Sequence, residues 1–253
     1  MGQPGDFSAR PVPGLPEVTT GFDLGAAIAD LGNLREGDIV AISQKVVSKA
    51  EGQTVDLAGV LPGEAAQRLA SELDKDPRMV ELILSESTEV VRTDPGRGII
   101  VTATHHGFIC ANSGIDSSNV DGDETVLLLP EDPDASARRI RAGIAAATGV
   151  KPAVIISDSF GRAWRYGQAE VAIGCAGIEP TDDWRGQQDT TGRELKATEI
   201  AIADQIASAA DLARDKTSGT PVVVVSGLGR FVIDDDGPGC VAQLRKKGED
   251  LFR

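Results

Sequence analysis

Aromatic side chains make up only 4% of the 253 residues, and histidine, methionine and tryptophan occur twice each. The core must therefore be built from Val, Ile, Leu and Ala. A chain of this length can bury roughly 70–75% of the surface its unfolded form exposes, so no staple is needed. Cysteine is scarce too: Cys110, Cys175 and Cys240 stand far apart with no C-x-x-C pair, which argues against a disulfide framework or a structural zinc site. The only histidines, His105 and His106, are adjacent, which excludes a histidine-rich metal centre. Any metal here would be held mainly by oxygen, the ligand type of Mg²⁺, Mn²⁺ or Ca²⁺. No apolar run approaches the ~18 residues of a membrane span. The opening MGQPGDFSARPVPG lacks the charged and apolar regions of a signal peptide, and Asp6 breaks the Met-Gly acylation pattern. A cytoplasmic protein without a membrane partner is expected.

Positive charge is in short supply. Lys and Arg total 25 against 39 Asp and Glu, a formal net charge of −14. That balance argues against a protein that tracks a nucleic-acid backbone, because such footprints are basic. It leaves small phosphorylated ligands open, since fields between exposed charges decay over about 8 Å at physiological salt. A few local cations, or a divalent metal, can reverse the sign at a site. The usual nucleotide motifs are missing as well. No lysine follows a glycine, so there is no P-loop, and Val232 stands where a dinucleotide fingerprint begun at Gly227-Leu228-Gly229 needs its third glycine. Neither a G-x-S-x-G elbow nor an H-E-x-x-H pair occurs.

What is present reads as a mixture of helices and short strands. Residues 1–14 are rich in Gly and Pro and are expected to be flexible. Strands are expected at Asp38–Ser43, Thr88–Arg92, Gly98–Thr102, Thr125–Leu129, Ala153–Ile156 and Pro221–Val225. Prolines open expected helices at Pro62–Leu73, Pro77–Leu84 and Pro133–Thr148, the last closed by Gly149. Arg193–Arg214 is expected to be the longest helix, with Ile200, Ala203, Ile206, Ala207 and Ala210 on one face. Without regular βαβ alternation the pattern indicates an α+β fold rather than a doubly wound sheet. Residues 15–253 are expected to form two intimately packed subdomains with a boundary near residue 130.

Five stretches could carry chemistry, and each has a plain alternative. In NSGIDSSN (112–119), Asp116 could face a hard cation and Asn119 a phosphate or sugar, or the loop could be a self-bonding Asx/Ser turn. In SDSFGRAWR (157–165), Asp158 and Ser159 could coordinate a metal at the end of a strand while Arg162 and Arg165 offer forked donors to phosphate or carboxylate. The alternative there is a helix cap with solvated arginines. In SQKVVSKAEG (43–52) two lysines could hold phosphates, or lie in water on an amphipathic turn. GLPEV (14–18) could lie over a ligand or serve as a linker, and KTSGT (216–220) could cradle phosphates or cap a helix. Jointly they supply separated carboxylates, cations and a Gly/Ser loop, the parts that nucleotide phosphoryl transfer requires.

Together GLPEV (14–18), SQKVVSKAEG (43–52), HGFICANSGIDSSNV (106–120), SDSFGRAWRYGQAEVAIGCAG (157–177) and DTTGRELKATEIAIADQIASAA (189–210) closely resemble the coenzyme F420-0:L-glutamate ligase family, in its actinobacterial-type ligase domain. The likeness runs from about residue 14 to residue 230. It implies a two-domain α+β fold without a P-loop, an intertwined homodimer, and a GTP-dependent ligase. That enzyme adds L-glutamate to F420-0, then further γ-linked glutamates, and releases GDP and phosphate. Many actinobacterial relatives carry a flavin-reductase-like domain after the ligase; this sequence closes on GEDLFR, which leaves a stand-alone ligase and an N-terminal half both open.

Carried over by position, the resemblance implies metal ligands at Asp116, Asp158 and Ser159, for Mg²⁺ or Mn²⁺, with K⁺ as a further cation. GTP, the co-substrate, would contact Leu15, Pro16, Glu17, Val18, Gln44, Lys49 and Asn119, with Lys216 and Gly219 in a second nucleotide loop. Position 44 is often Ser in relatives, and the residue after Asp158 is often Thr. Asp116, Asp158 and Arg162 are expected to be the catalytic group, through an acyl-phosphate formed on the acceptor carboxylate. Two readings from other classes stand beside this one: a module that binds a phosphorylated metabolite without turnover, and a metal-dependent phosphohydrolase.

Overall fold

A computed structural model describes residues 5–117, 124–214 and 219–250. In chain order the strands are β1 (Ser8–Pro11), β2 (Ile39–Ser43), β3 (Thr54–Asp56), β4 (Ser87–Asp94), β5 (Ile99–Thr104), β6 (Ile109–Ala111), β7 (Thr125–Leu127), β8 (Ala153–Arg162), β9 (Arg165–Ala176), β10 (Thr181–Asp183), β11 (Glu199–Ala201) and β12 (Val222–Ser226). The helices are α1 (Leu24–Leu31), α2 (Gln44–Ala50), α3 (Glu64–Leu73), α4 (Pro77–Ser85), α5 (Pro133–Thr148) and α6 (Ile202–Asp211).

The central sheet has the order β1-β12-β2-β8-β9. Only β2 and β8 run parallel, from Ile39 opposite Ala153 to Ser43 opposite Ser157, and the other pairings are antiparallel. One parallel pair in an otherwise antiparallel sheet, with helices on both faces, agrees with the expected α+β class. The continuous runs IVAI, AVII and VVVV follow from burial on both faces. Val40, Ile42, Val154, Ile156 and Val224 face α1 and α5; Ile39, Ala41, Ile155, Val223 and Val225 face α6. Each fully buried Val or Ile contributes roughly 1.5–3 kcal/mol. A third cluster, with Ala66, Ala70, Leu73, Val80, Ile83 and Ile100, joins α3 and α4 to the three-stranded sheet β4-β5-β6.

Helix α5 begins and ends where its signals say. The Asp132 carboxylate accepts the Ala135 N–H at 2.9 Å, Pro133 takes the first helical position, and Gly149 closes the helix at φ 77°. It lies so close to β9 that a Cβ on Gly174 would stand 2.3 Å from the Pro133 carbonyl oxygen. The short side chains of that contact let the helix seat directly on the strand.

Four local expectations change. Ser8–Pro11, inside the stretch expected to be flexible, form the edge strand β1 against β12. Strand β8 does not stop at Ile156 but continues through the polar SDSFGR to Arg162, because β9 pairs with it along that whole length. The expected long helix shrinks to α6, Ile202–Asp211, and α5 with 16 residues is the longest among those described. The apolar stripe begins at Ile202; upstream, Glu199–Ala201 pair with Thr181–Asp183 and Asp189–Gly192 form a turn. The SQKVVSK stretch is helical, as α2. No described helix is long and apolar enough to cross a membrane.

Candidate active site

Past Ser43, β8 loses its parallel neighbour and keeps only β9, so one of its edges opens onto a cavity of about 1090 Å³. Side chains alternate along a strand. Asp158 and Phe160 therefore extend the face of Val154 and Ile156, while Ser157 and Ser159 extend the face of Ala153 and Ile155. Both faces reach the same cavity, which Asp158, Ser159 and Phe160 all line. The Phe160 ring packs edge-on against Phe108, centroids 6.1 Å apart, and ties the outer part of the β8–β9 hairpin to the body of the protein.

Asp116 arrives from the opposite wall. The turn before it holds Asn112, Ser113 and Gly114 at φ 52°, 55° and 71°, a left-handed run that redirects the chain. The loop is not the self-bonding turn offered as the plain alternative, because its side chains bond to other elements. Ser113 Oγ donates to the Ile83 carbonyl at 2.8 Å, and Asn112 Oδ1 accepts the Ile100 N–H, so these two anchor the turn. Asp116 instead lines the cavity, and its backbone is held by two hydrogen bonds with Leu127. Its carboxylate meets Lys45 Nζ at 2.8 Å. One helical turn later Lys49 Nζ reaches Glu17 Oε1 at 2.5 Å, which ties α2 to the Leu15–Val18 segment on the cavity wall.

Acidic groups crowd the site. The Asp158 carboxyl is pushed up from 3.8 to about 6, first by burial, then by the charges of Glu170 and Asp116; the Ser159 N–H and the Lys45 ammonium pull it back. Burial and Asp158 push the neighbouring Cys110 thiol up to about 12, so it is an inert wall residue rather than a nucleophile. On the Ser159 face, Glu170 and Arg214 form a buried ion pair at 3.2 Å. Two carboxylates and a hydroxyl at one cavity are hard oxygen donors that fit a divalent cation, so Asp116, Asp158 and Ser159 could hold one.

Of the remaining expected contacts, Leu15, Pro16, Glu17, Val18, Lys49 and Gly219 line this cavity. Gln44 is not brought to it. As the first residue of α2 it turns into the core, fully buried, with Nε2 donating to Ser48 Oγ and to the Leu128 carbonyl. Arg162 does not line the cavity either: its guanidinium donates to the Tyr166 carbonyl at 2.5 Å and braces the hairpin turn. The helix-cap alternative for Asp158 fails because a strand, not a helix, follows it. Asn119 and Lys216 lie outside the described residues. Sequence reasoning missed Glu170, Arg214 and Asp211, which all line the cavity; Lys45, one of the two lysines it read as possible phosphate holders, lines it as well. Glu170 is signalled only by its register opposite Ser159, which needs the hairpin to be known.

A second cluster of possible ligands has a different character. Ligand atoms of Asp134, Cys175 and Cys240 lie within 4.8 Å of one another. Asp134 accepts the Cys175 and Cys240 N–H groups at 2.8 Å, however, which makes it a backbone staple between β9 and the C-terminal segment. The Cys240 thiol is raised by its hydrogen bond with Cys175 and by burial, so it stays protonated.

A family model described as F420-0:Gamma-glutamyl ligase matches residues 14–227. A coenzyme F420:L-glutamate ligase of Halorubrum lacusprofundi is 48% identical over 222 residues, covering 85% of this chain and 84% of the relative. Proteins of the same name from Methanothermobacter thermautotrophicus and Methanopyrus kandleri are 42% and 43% identical, and each comparison covers at least 96% of both chains.

Proposed function

Since the chain belongs to the F420-0:gamma-glutamyl ligase family, and is therefore a ligase, we propose that it joins L-glutamate to coenzyme F420-0 and extends it with γ-linked glutamates, consuming GTP. The observation that carries this reading is the meeting of Asp116 and Asp158 in one cavity with Leu15–Val18 and Lys49. The cavity is large enough for a nucleotide beside an acceptor. GTP lies along Leu15–Val18 in this proposal, with Lys49 supplying a point charge to its phosphates. Asp116, Asp158 and Ser159 would hold Mg²⁺ or Mn²⁺, which when bound neutralises charge on the β- and γ-phosphate oxygens.

The acceptor carboxylate attacks the γ-phosphorus in line. The P–O bond to GDP breaks, and an acyl phosphate forms on the acceptor. The glutamate amine then attacks that carbonyl, phosphate leaves, and the amine loses a proton. Lys45, the other lysine of SQKVVSKAEG, sits beside Asp116 and is placed to follow negative charge as it moves. Arg162 braces the hairpin instead of reaching the reacting groups, so its expected catalytic role is not proposed again. We also propose a homodimer, on the family likeness.

Incubation with GTP, Mn²⁺, F420-0 and L-glutamate, followed by mass spectrometry, tests the reading. Discrete additions of one glutamyl residue, each matched by one phosphate released, are expected. Phosphate release independent of glutamate and F420-0 would mark a phosphohydrolase, and nucleotide binding without release a binding module.

A further inference from the structure

Glu170 is nearly buried at the cavity wall, opposite Ser159 across the hairpin. Its Oε1 accepts the Ser159 hydroxyl, and its Oε2 accepts Ser157 Oγ at 2.6 Å and Arg214 Nη2 at 3.2 Å. Arg214 is itself clamped: Nε donates to Asp211 at 3.2 Å and Nη1 to the Pro221 carbonyl at 2.9 Å. Buried ion pairs are weak contributors to stability, because desolvation offsets most of their attraction. A pair built against the polar wall of a cavity therefore calls for a local use.

Hydrogen-bond chemistry supplies one. A serine hydroxyl has one proton and two acceptor lone pairs. With the proton committed to Glu170, the Ser159 oxygen can meet any other partner only through its lone pairs, and Ser159 lines the cavity. That is the orientation in which a hydroxyl ligates a cation; the reverse orientation would present a proton to it. We propose that Glu170, anchored by Arg214, is a positioning residue that orients the Ser159 oxygen toward a divalent cation. The inference rests on the reading that Asp116, Asp158 and Ser159 hold that cation.

Mn²⁺ titration of the full chain, with free Mn²⁺ read by electron paramagnetic resonance, separates the two. Wild type should bind, and Asp116→Asn should not. Glu170→Gln and Ser159→Ala should each weaken binding about ten- to hundred-fold, the range for residues that orient metal ligands. The double variant should be no weaker than the weaker single one, because both changes remove the same interaction. A merely structural Glu170 would lower the melting temperature without that non-additivity. Wild-type affinity in Glu170→Gln, or additive losses, overturns the positioning role and leaves the ligase reading standing. Absence of Mn²⁺ binding in wild type, or full binding in Asp116→Asn, overturns the cation reading and this inference with it. If Glu170→Gln does not fold, Glu170→Asp keeps a counter-charge for Arg214 while withdrawing the carboxylate from Ser159. The same loss is then expected, and unchanged affinity counts against the role.

Discussion

Asp158 sits where a negative charge is costly, and the cost has a pH signature. Its carboxyl titrates near 6 instead of 3.8 because burial, Glu170 and Asp116 all disfavour the ionised form. The sign follows from linkage: a carboxyl raised on folding leaves the native state unpenalised below its unfolded pKa and penalised as pH climbs through the folded one. Without a cation, the wild-type melting temperature should therefore fall between about pH 4 and pH 6.5 relative to Asp158→Asn, which lacks that titration. A divalent cation meets only the ionised carboxylate. The rise in melting temperature on adding Mg²⁺ should thus be full near pH 7.5 and fade as pH drops through 6. Paired thermal melts with and without Mg²⁺ check both; a Mg²⁺ effect as large at pH 5 as at pH 7.5 would detach Asp158 from the cation.

At the scale of elements, the contact between α5 and β9 decides how the sheet end is presented. Gly174 lies under Pro133, where a Cβ would come within 2.3 Å of backbone that cannot move independently of the helix start. Gly174→Ala is expected to destabilise the fold by about 1–3 kcal/mol, the usual range for overpacking. Urea unfolding should show a lower midpoint with an unchanged slope, and a midpoint equal to wild type would mean the helix is not seated as described. Helix α5 itself was read from Pro133 and Gly149, both local signals, and the structure adds the Asp132 cap. The reach of β8 was not. Its polar second half, SDSFGR, has no strand-like apolar pattern and becomes strand only because β9 lies beside it.

For the whole molecule, Trp164 and Tyr166 at the hairpin tip and Leu212 beyond α6 are 86%, 95% and 89% exposed. Light scattering should give a mass about twice 26.4 kDa, the homodimer proposed above, and a mass of 26.4 kDa would remove it. The net charge of −14 belongs to this scale as well: it disfavours contact with a nucleic-acid backbone, while among the described residues the cavity gathers Lys45, Lys49 and Arg214 in one place.

The mixed α+β class, the lack of a P-loop, the exclusion of a histidine-rich metal centre and the family likeness all came from the sequence alone, because composition, caps and contiguous motifs are local properties. Asp116, Asp158, Ser159, Lys49 and the Leu15–Val18 stretch, which line one cavity, were singled out in the same way. Tertiary structure decided the rest. Helix α2 turns Gln44 into the core, the hairpin turn occupies Arg162, and the alternation of β8 sends Asp158 and Ser159 to opposite faces of one strand. Glu170 and Arg214 became visible only when strand register and the end of α6 brought distant residues within hydrogen-bond reach. Pairing register and side-chain direction depend on which segments meet, and no run of neighbouring residues encodes that.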